Sequence, residues 1–440
     1  MENSNRPLVP KPKRRIGRNL ILVTILSLVG VLVAWGRFIA DDPVLTIPKP
    51  VLPNPNAFDA YVTAGRSLIN AKQIDAASYT RPPVPISLEQ KEALVQQNAG
   101  ALQTLRQGFA YEYRNPPIRS LFVPTPQYGT FRRLARLLAI QSQVRAAQHD
   151  WGGAADSALD AIRLGIDVPH GGGLEVHGVG VSCELSGQRA LWGTIEHLNA
   201  AQAQTATQRL ETTMVRHVPF ANTIQEEKWA GLAQIIQFFH SARKRGVFLE
   251  ANGLAGRDAS TSRRYTAVFF LLYGKKRVLK DYAEYMDAIA AGAGRPYPLK
   301  MLPPPIPEDP INQTFVSVIG DLRSDLRFND VTIRAQDGIL LVALALHAYH
   351  LEHGRYPATL AELAPAYLKK LPNDPFAMQG TFGYVGKGSA YTLYSVGPDG
   401  KDDGGKPIED PASNPTATPR TRHLVHENSV GDIVAGINRP

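Results

Sequence analysis

The first 40 residues constrain this chain more than any other segment. Arg6, Lys11, Lys13, Arg14, Arg15 and Arg18 precede an apolar run, residues 20–35, interrupted only by Thr24 and Ser27. A helix needs about 20 mostly apolar residues to cross a bilayer core, and residues 16–39 are enough, with Trp35 placed at the outer interface. The basic flank predicts a cytoplasmic N-terminus and a bulk of chain outside the cytoplasm, in a periplasm or equivalent space. A cleaved signal peptide has a similar outline. Phe38-Ile39-Ala40 is a poor small-x-small cleavage site, so the expectation is an uncleaved, single-pass anchor in the cytoplasmic (inner) membrane. The apolar runs 267–273 and 339–346 are too short to span and are expected in the core.

The net charge of +9 would point to nucleic acid if it were spread over the chain. Seven Lys/Arg and one acidic residue in residues 1–40 supply +6 of it, leaving +3 for the remaining 400 residues. That residue of charge argues against a phosphate-binding surface and assigns the basicity to the topogenic segment. The clusters Arg243-Lys244-Arg245, Arg263-Arg264 and Lys275-Lys276-Arg277 are expected at solvated helix ends or loops. Cys183 is the single cysteine, so no intrachain disulfide or multi-thiolate metal site can form. Nothing near it activates the thiol, which is expected to be inert and buried.

Proline and capping signals divide the chain. After the tail and anchor, 1–40, five prolines make 41–56 a semi-rigid spacer. Residues 57–300 carry helical periodicity, 301–328 form a proline-rich linker and connector, and 329–440 change in texture, with a flexible proline- and threonine-rich insertion at 406–426. Ser87-Leu88-Glu89-Gln90 is a capping box that opens a helix running to about Gln107. Residues 131–148 repeat apolar positions at helical spacing. Helices are also expected over 224–244 and 264–291. The segment His149-Asp150-Trp151, followed by Ala154, Ala155, Ala158, Ala161 and Leu164, is similar to the second half of a tetratricopeptide-type hairpin, with 183–198 and 201–215 as a second pair. The spacing is not a regular array, and an irregular helical bundle fits the pattern equally well.

The C-terminal texture is more specific. Residues 331–353 form an apolar helix ended by Gly354 and stopped by Pro357, and Thr359-Leu360-Ala361-Glu362 is a second capping box. Residues 381–386 and 390–396 are two strands around Lys387-Gly388-Ser389. The order of Gly354-Arg355-Tyr356-Pro357, Tyr367-Leu368-Lys369-Lys370-Leu371, Asp374-Pro375 and Tyr391-Thr392-Leu393-Tyr394, then Pro398-Asp399-Gly400-Lys401-Asp402-Asp403-Gly404, resembles the C-terminal domain of the major pseudopilin of type II secretion systems, over residues 335–405. The resemblance implies a helix feeding a small antiparallel sheet, with a calcium-binding loop after the last strand. Pseudopilins are processed at a glycine followed by an aromatic residue and carry a glutamate five residues in. Here Arg18 follows Gly17 and Leu22 stands at the glutamate position, so polymerisation as an ordinary pilin subunit is not expected.

Asp399, Asp402 and Asp403 set three carboxylates on one glycine-rich turn, the hard oxygen donors that Ca2+ takes; an acidic solvated turn is the competing reading. The resemblance maps the calcium loop here, with Asp432 as a closing ligand. His347, His350 and His353 share one helix without a third-ligand pattern and are expected to pack. His170-Gly171-Gly172-Gly173 and Gly178-Val179-Gly180 lack the Lys-Ser/Thr of a P-loop and are helix linkers. No serine elbow or acid–base carboxylate pair stands out. The expected protein is mainly α with a small α+β C-terminal domain: a membrane-tethered, non-enzymatic scaffold with a protein partner on its helical domain and no nucleic-acid or small-molecule ligand. An envelope hydrolase with a dispersed site, or an atypical type II secretion component, is the alternative.

Overall fold

Helix α1 (Ile16–Phe38) forms where the apolar run predicts it. Its side chains face outward: Leu20, Leu26 and Val31 are 68%, 62% and 65% exposed, far more than a core helix allows. The computed structural model describes residues 16–38, 47–79, 86–120, 124–240, 275–299, 304–308, 310–409 and 423–438. The signal-peptide site at 38–40, the run 267–273, the clusters 243–245 and 263–264 and most of the 406–426 insertion lie at least in part outside those residues.

The first helical layer contains α2 (Ala57–Arg66), α3 (Ala71–Tyr79), α4 (Leu88–Gln97), α5 (Ala99–Gly108) and α6 (Pro126–Ala147). Asn56 caps α2 by accepting the Phe58 N–H, and Tyr61, Leu102, Leu105, Phe131, Leu134 and Leu138 fill the core beneath. The capping box Ser87–Gln90 is present, but the single helix expected to Gln107 is broken at Asn98. The Asn98 amide reaches across to the Ile69 backbone, accepting its N–H and donating to its carbonyl. A side chain holding a neighbouring loop competes with helix continuation, which explains the break.

The second layer is α7 (Trp151–Asp167) and α8 (Leu174–Trp192), with α9 (Ala200–Met214) beside them. The α6–α7 hairpin matches the expected pair, and Trp151 stacks on His197 with ring centroids 3.9 Å apart. The second expected pair does not form as such: α9 packs chiefly on a later helix and on α7 instead of on α8. The α7–α8 crossing is set by glycine. A Cβ at Gly187 would lie 2.6 Å from the Ala158 carbonyl oxygen and 2.6 Å from the Ile162 nitrogen. Alanine favours a helix over glycine by about 1 kcal/mol, but backbone cannot move aside, and overpacking costs about 1–3 kcal/mol. Gly187→Ala is therefore expected to lower the melting temperature; an unchanged or raised melting point in a circular dichroism scan would refute the close crossing.

The third layer is α10 (Phe220–His240) with α11 (Lys275–Ala293), the described parts of the helices expected over 224–244 and 264–291. At the start of α11, Lys276 and Arg277 are solvated as expected, whereas Lys275 is buried. Both helices pack on the first half of α12 (Pro310–His353), a 44-residue helix. The stretch 301–328 expected as a connector is thus helical from Pro310, because proline at a first helical position needs no hydrogen bond there. Its second half holds a stretch apolar on every face: each residue from Ile339 to Leu346 is at most 2% exposed. Such a helix must be sheathed, and α8 and α9 cover it on one side. Leu326–His353 is long and apolar enough to cross a membrane but is mostly buried, as a core helix is.

The C-terminal module covers the other side. Gly354 takes φ +69° and ends α12 by donating to the His350 carbonyl, and the Thr359–Glu362 capping box opens a 3-10 turn, Leu360–Leu363. Strands β1 (Gly383–Gly386) and β2 (Tyr391–Ser395) pair antiparallel with Gly386 opposite Tyr391, the hairpin expected. A third strand, β3 (Ile433–Val434), adds to β2 after the insertion. Two residues leave no periodicity to read, so it is not visible in sequence. Phe376, Phe382, Leu393, Ile408 and Ile433 join the same core as Ala158, Ile162 and Leu210 of the helical layers. The architecture is mainly α with one small antiparallel sheet.

Candidate functional site

Two places gather polar chemistry, and only one of them was anticipated. The unanticipated one lies where α12 meets the helical layers. Glu184 projects from α8, Asp337 from α12, and His217 from the loop between α9 and α10. His217 Nε2 lies 2.9 Å from Glu184 Oε1 and 3.3 Å from Asp337 Oδ2. Glu184 and Asp337 are buried and His217 nearly so, and one ligand atom from each falls within 4.8 Å of the others, the one such group among the described residues. Gln188 holds Asp337 Oδ1 at 2.7 Å, while Asp337 Oδ2 is buried without a hydrogen-bond donor.

Burial governs the electrostatics of this junction. It pushes the Glu184 carboxyl up to about 7, and burial together with the neighbouring Glu184 charge raises Asp337 well above the carboxylate range. Burial also lowers His217. Two turns away on α12, burial works against the Asp330 charge, but Arg334 and His177 outweigh it and hold that carboxyl low. Arg334 bonds Asp330 through Nε at 2.9 Å and donates to the Val218 carbonyl, pinning the loop that carries His217.

His217 also reaches the wall of a cleft of about 410 Å³, lined among others by Arg114, His170, Asn222 and Glu226. The glycine linker 171–173 separates it from a smaller cavity of about 160 Å³. That linker joins α7 to α8, as expected of it, whereas Gly178-Val179-Gly180, also expected as a linker, lies inside α8. Below it, half-buried Glu227 accepts the N–H of Leu174 at 2.9 Å and so caps α8 from outside. Burial raises the Glu227 pKa. A carboxyl raised in the folded state favours the protonated native form, so stability falls as pH rises from its ordinary value of 4.5 through the raised one. Glu227→Gln keeps the acceptor without the charge. It is expected to remove this slope and to add on the order of 1 kcal/mol at neutral pH. Denaturant titrations at pH 5 and pH 8 check it: equal slopes for both proteins would reject the assignment.

The anticipated site is the turn after β2. Asp399 Oδ1 accepts the Lys401 N–H at 3.2 Å, and its Oδ2 is buried without a donor. Asp402 Oδ1 accepts from Tyr394 Oη and from the Gly404 N–H, both at 2.9 Å. Asp432, buried beside β3, accepts from the N–H groups of Gly405 at 2.7 Å and Asp403 at 3.4 Å. The fold therefore brings Asp432 back against the turn across the insertion. Burial, and then the Asp402 and Asp403 charges, raise the Asp432 carboxyl. Carboxylates suit a hard cation in kind, but no three of Asp399, Asp402, Asp403 and Asp432 bring ligand oxygens within 4.8 Å of one another.

The helix histidines do not converge. His347 bonds the Leu198 carbonyl at 2.9 Å, His350 stacks on Tyr356, and His353 stacks on Tyr349. Cys183 is fully buried, and burial pushes its thiol up to about 12, as expected of an inert thiol. The Asp374-Pro375 motif has a structural purpose: the Asp374 carboxylate ties the loop before β1 to the end of β2.

Residues 331–410 match the family model of the type II secretion system (T2SS) protein G, the segment whose motifs carry the pseudopilin resemblance. No curated protein matches the chain, and no solved structure matches it. The match takes in the second half of α12, the 3-10 turn, β1, β2 and the acidic turn. It makes the chain one with a pseudopilin-like, secretion-related domain.

Proposed function

We propose that the chain is a membrane-tethered, extracytoplasmic scaffold that uses its pseudopilin-like domain in secretion or envelope assembly. The observation that carries this reading is the placing of the protein G segment: its stem helix α12 is sheathed by α8 and α9 and is far in sequence from α1. A stem enclosed by its own chain has no free face for filament packing, so the module serves as a recognition head. The outward apolar faces of α1 fit a plain tether in the inner membrane, with the folded bulk on the periplasmic side. Ca2+ held by Asp399, Asp402, Asp403 and Asp432 would order the turn that such a head presents.

The hydrolase alternative draws on one observation, the approach of His217 to the 410 Å³ cleft. Glu184 and Asp337 stand behind it, buried at 3% and 0%, and do not line that cleft, which favours a structural role. Affinity capture of the full chain from solubilised membranes, with and without calcium, tests the scaffold. Enrichment of secretion or envelope components is expected, stronger with calcium. Recovery of none, or of a chain accessible only from the cytoplasm in protease protection, overturns it.

A further inference from the structure

We propose that Glu184, His217 and Asp337 bind one divalent transition-metal ion of the Zn2+ class, clamping α12 to the helical layers. The inference is independent of the scaffold reading and of the acidic turn.

The hydrogen-bond logic of His217 carries it. Its Nδ1 lies 3.0 Å from the Met214 carbonyl, which can only accept, so Nδ1 holds the proton. Nε2 of the neutral ring is then a lone pair, and it points at Glu184 Oε1, 2.9 Å away, and at Asp337 Oδ2, 3.3 Å away. Three ligand atoms face one another, and without a cation only a proton held by the Glu184–Asp337 carboxyl pair can bridge them. A cation resolves all three at once. Two ligand atoms on metal bonds of about 2.0–2.2 Å sit about 3–4 Å apart, so the observed separations are edges of a coordination polyhedron.

The surroundings are those of a built site. Gln188 Nε2 holds Asp337 Oδ1 at 2.7 Å, and the Met214 carbonyl fixes the His217 tautomer, the kind of support that orients metal ligands. Two carboxylates balance a dication, while the nearby Arg334 is committed to Asp330 and to the Val218 carbonyl. One imidazole with two carboxylates and no thiolate suits Zn2+ or Mn2+ better than Ca2+, which prefers oxygen alone, or Cu+, which prefers sulfur. His217 lines the 410 Å³ cleft, which gives the ion a route in and water for the remaining position. The ligands come from α8, the α9–α10 loop and α12, so the ion would lock the stem helix to its sheath.

The test uses the full chain in detergent, stripped with a chelator and dialysed against Zn2+. One Zn2+ per chain is expected, with a raised melting temperature and an X-ray absorption spectrum of nitrogen and oxygen neighbours without sulfur. His217→Ala and the near-isosteric Glu184→Gln should each weaken binding by about 10–100-fold or more. Folding of each variant is checked by circular dichroism, and Glu184→Gln preserves the local shape. A folded wild-type chain that takes up neither Zn2+ nor Mn2+, or a Glu184→Gln variant that binds as the wild type does, overturns the proposal.

Discussion

Leu344→Ala is expected to cost about 2–5 kcal/mol, and to weaken the helical layers and the C-terminal sheet together. Leu344 is fully buried in α12, in a core shared by Ala158 and Ile162 of α7, Leu210 of α9, and Leu393 and Ile433 of the sheet. Removing its branched end leaves a cavity that no surface loop can relax into, because Ala158, Ile162, Leu210, Leu393 and Ile433 of that core are fully buried. Were the pseudopilin-like module an independent bead on a linker, its loss of stability would leave α7 untouched. Hydrogen exchange read by peptide separates the cases: a common loss of protection in α7 and β2 is expected. Two separate transitions, with α7 at wild-type protection, would disprove the shared core.

That coupling was half legible in sequence. The all-apolar stretch at 339–346 announces a buried helix, and the capping boxes at Ser87 and Thr359, the stop at Gly354 and the β1–β2 hairpin are local signals that local chemistry obeys. What covers the helix is a non-local matter, decided by surfaces far apart in the chain. The break at Asn98 was hidden for the same reason, since its cause is a contact with Ile69. Glu184, His217 and Asp337 are further apart still, on three separate elements, with no spacing to reveal them. The one available clue was the cost of burying Glu184 in the apolar face of α8 and Asp337 just before the apolar run of α12, a cost that calls for a partner. The acidic turn stood out because its carboxylates are neighbours in sequence, whereas Asp432 lies beyond the residues that match the family.

Asp374→Ala is expected to destabilise the C-terminal sheet by about 3 kcal/mol while sparing the first helical layer. The Asp374 carboxylate accepts the N–H groups of Phe376 at 3.0 Å and Val396 at 2.9 Å and the Ser395 hydroxyl at 2.8 Å. Asp374 is 3% exposed and Ser395 fully buried, so water cannot replace the lost acceptor without opening the loop. Two of the three donors released, Ser395 and Val396, sit at the end of β2, immediately before the turn that carries Asp399, Asp402 and Asp403. The loss is therefore local first, and the acidic turn loosens with it. Burial raises the Asp374 carboxyl although all three donors act against that shift, so the neutral side chain is well tolerated there. Asp374→Asn, which keeps one acceptor oxygen, should accordingly lose only about 1 kcal/mol. Hydrogen exchange across 391–405 is expected to accelerate strongly in the alanine variant and slightly in the asparagine variant, with α6 unchanged in both. Equal protection of 391–405 in wild type and Asp374→Ala would show that another contact holds the turn.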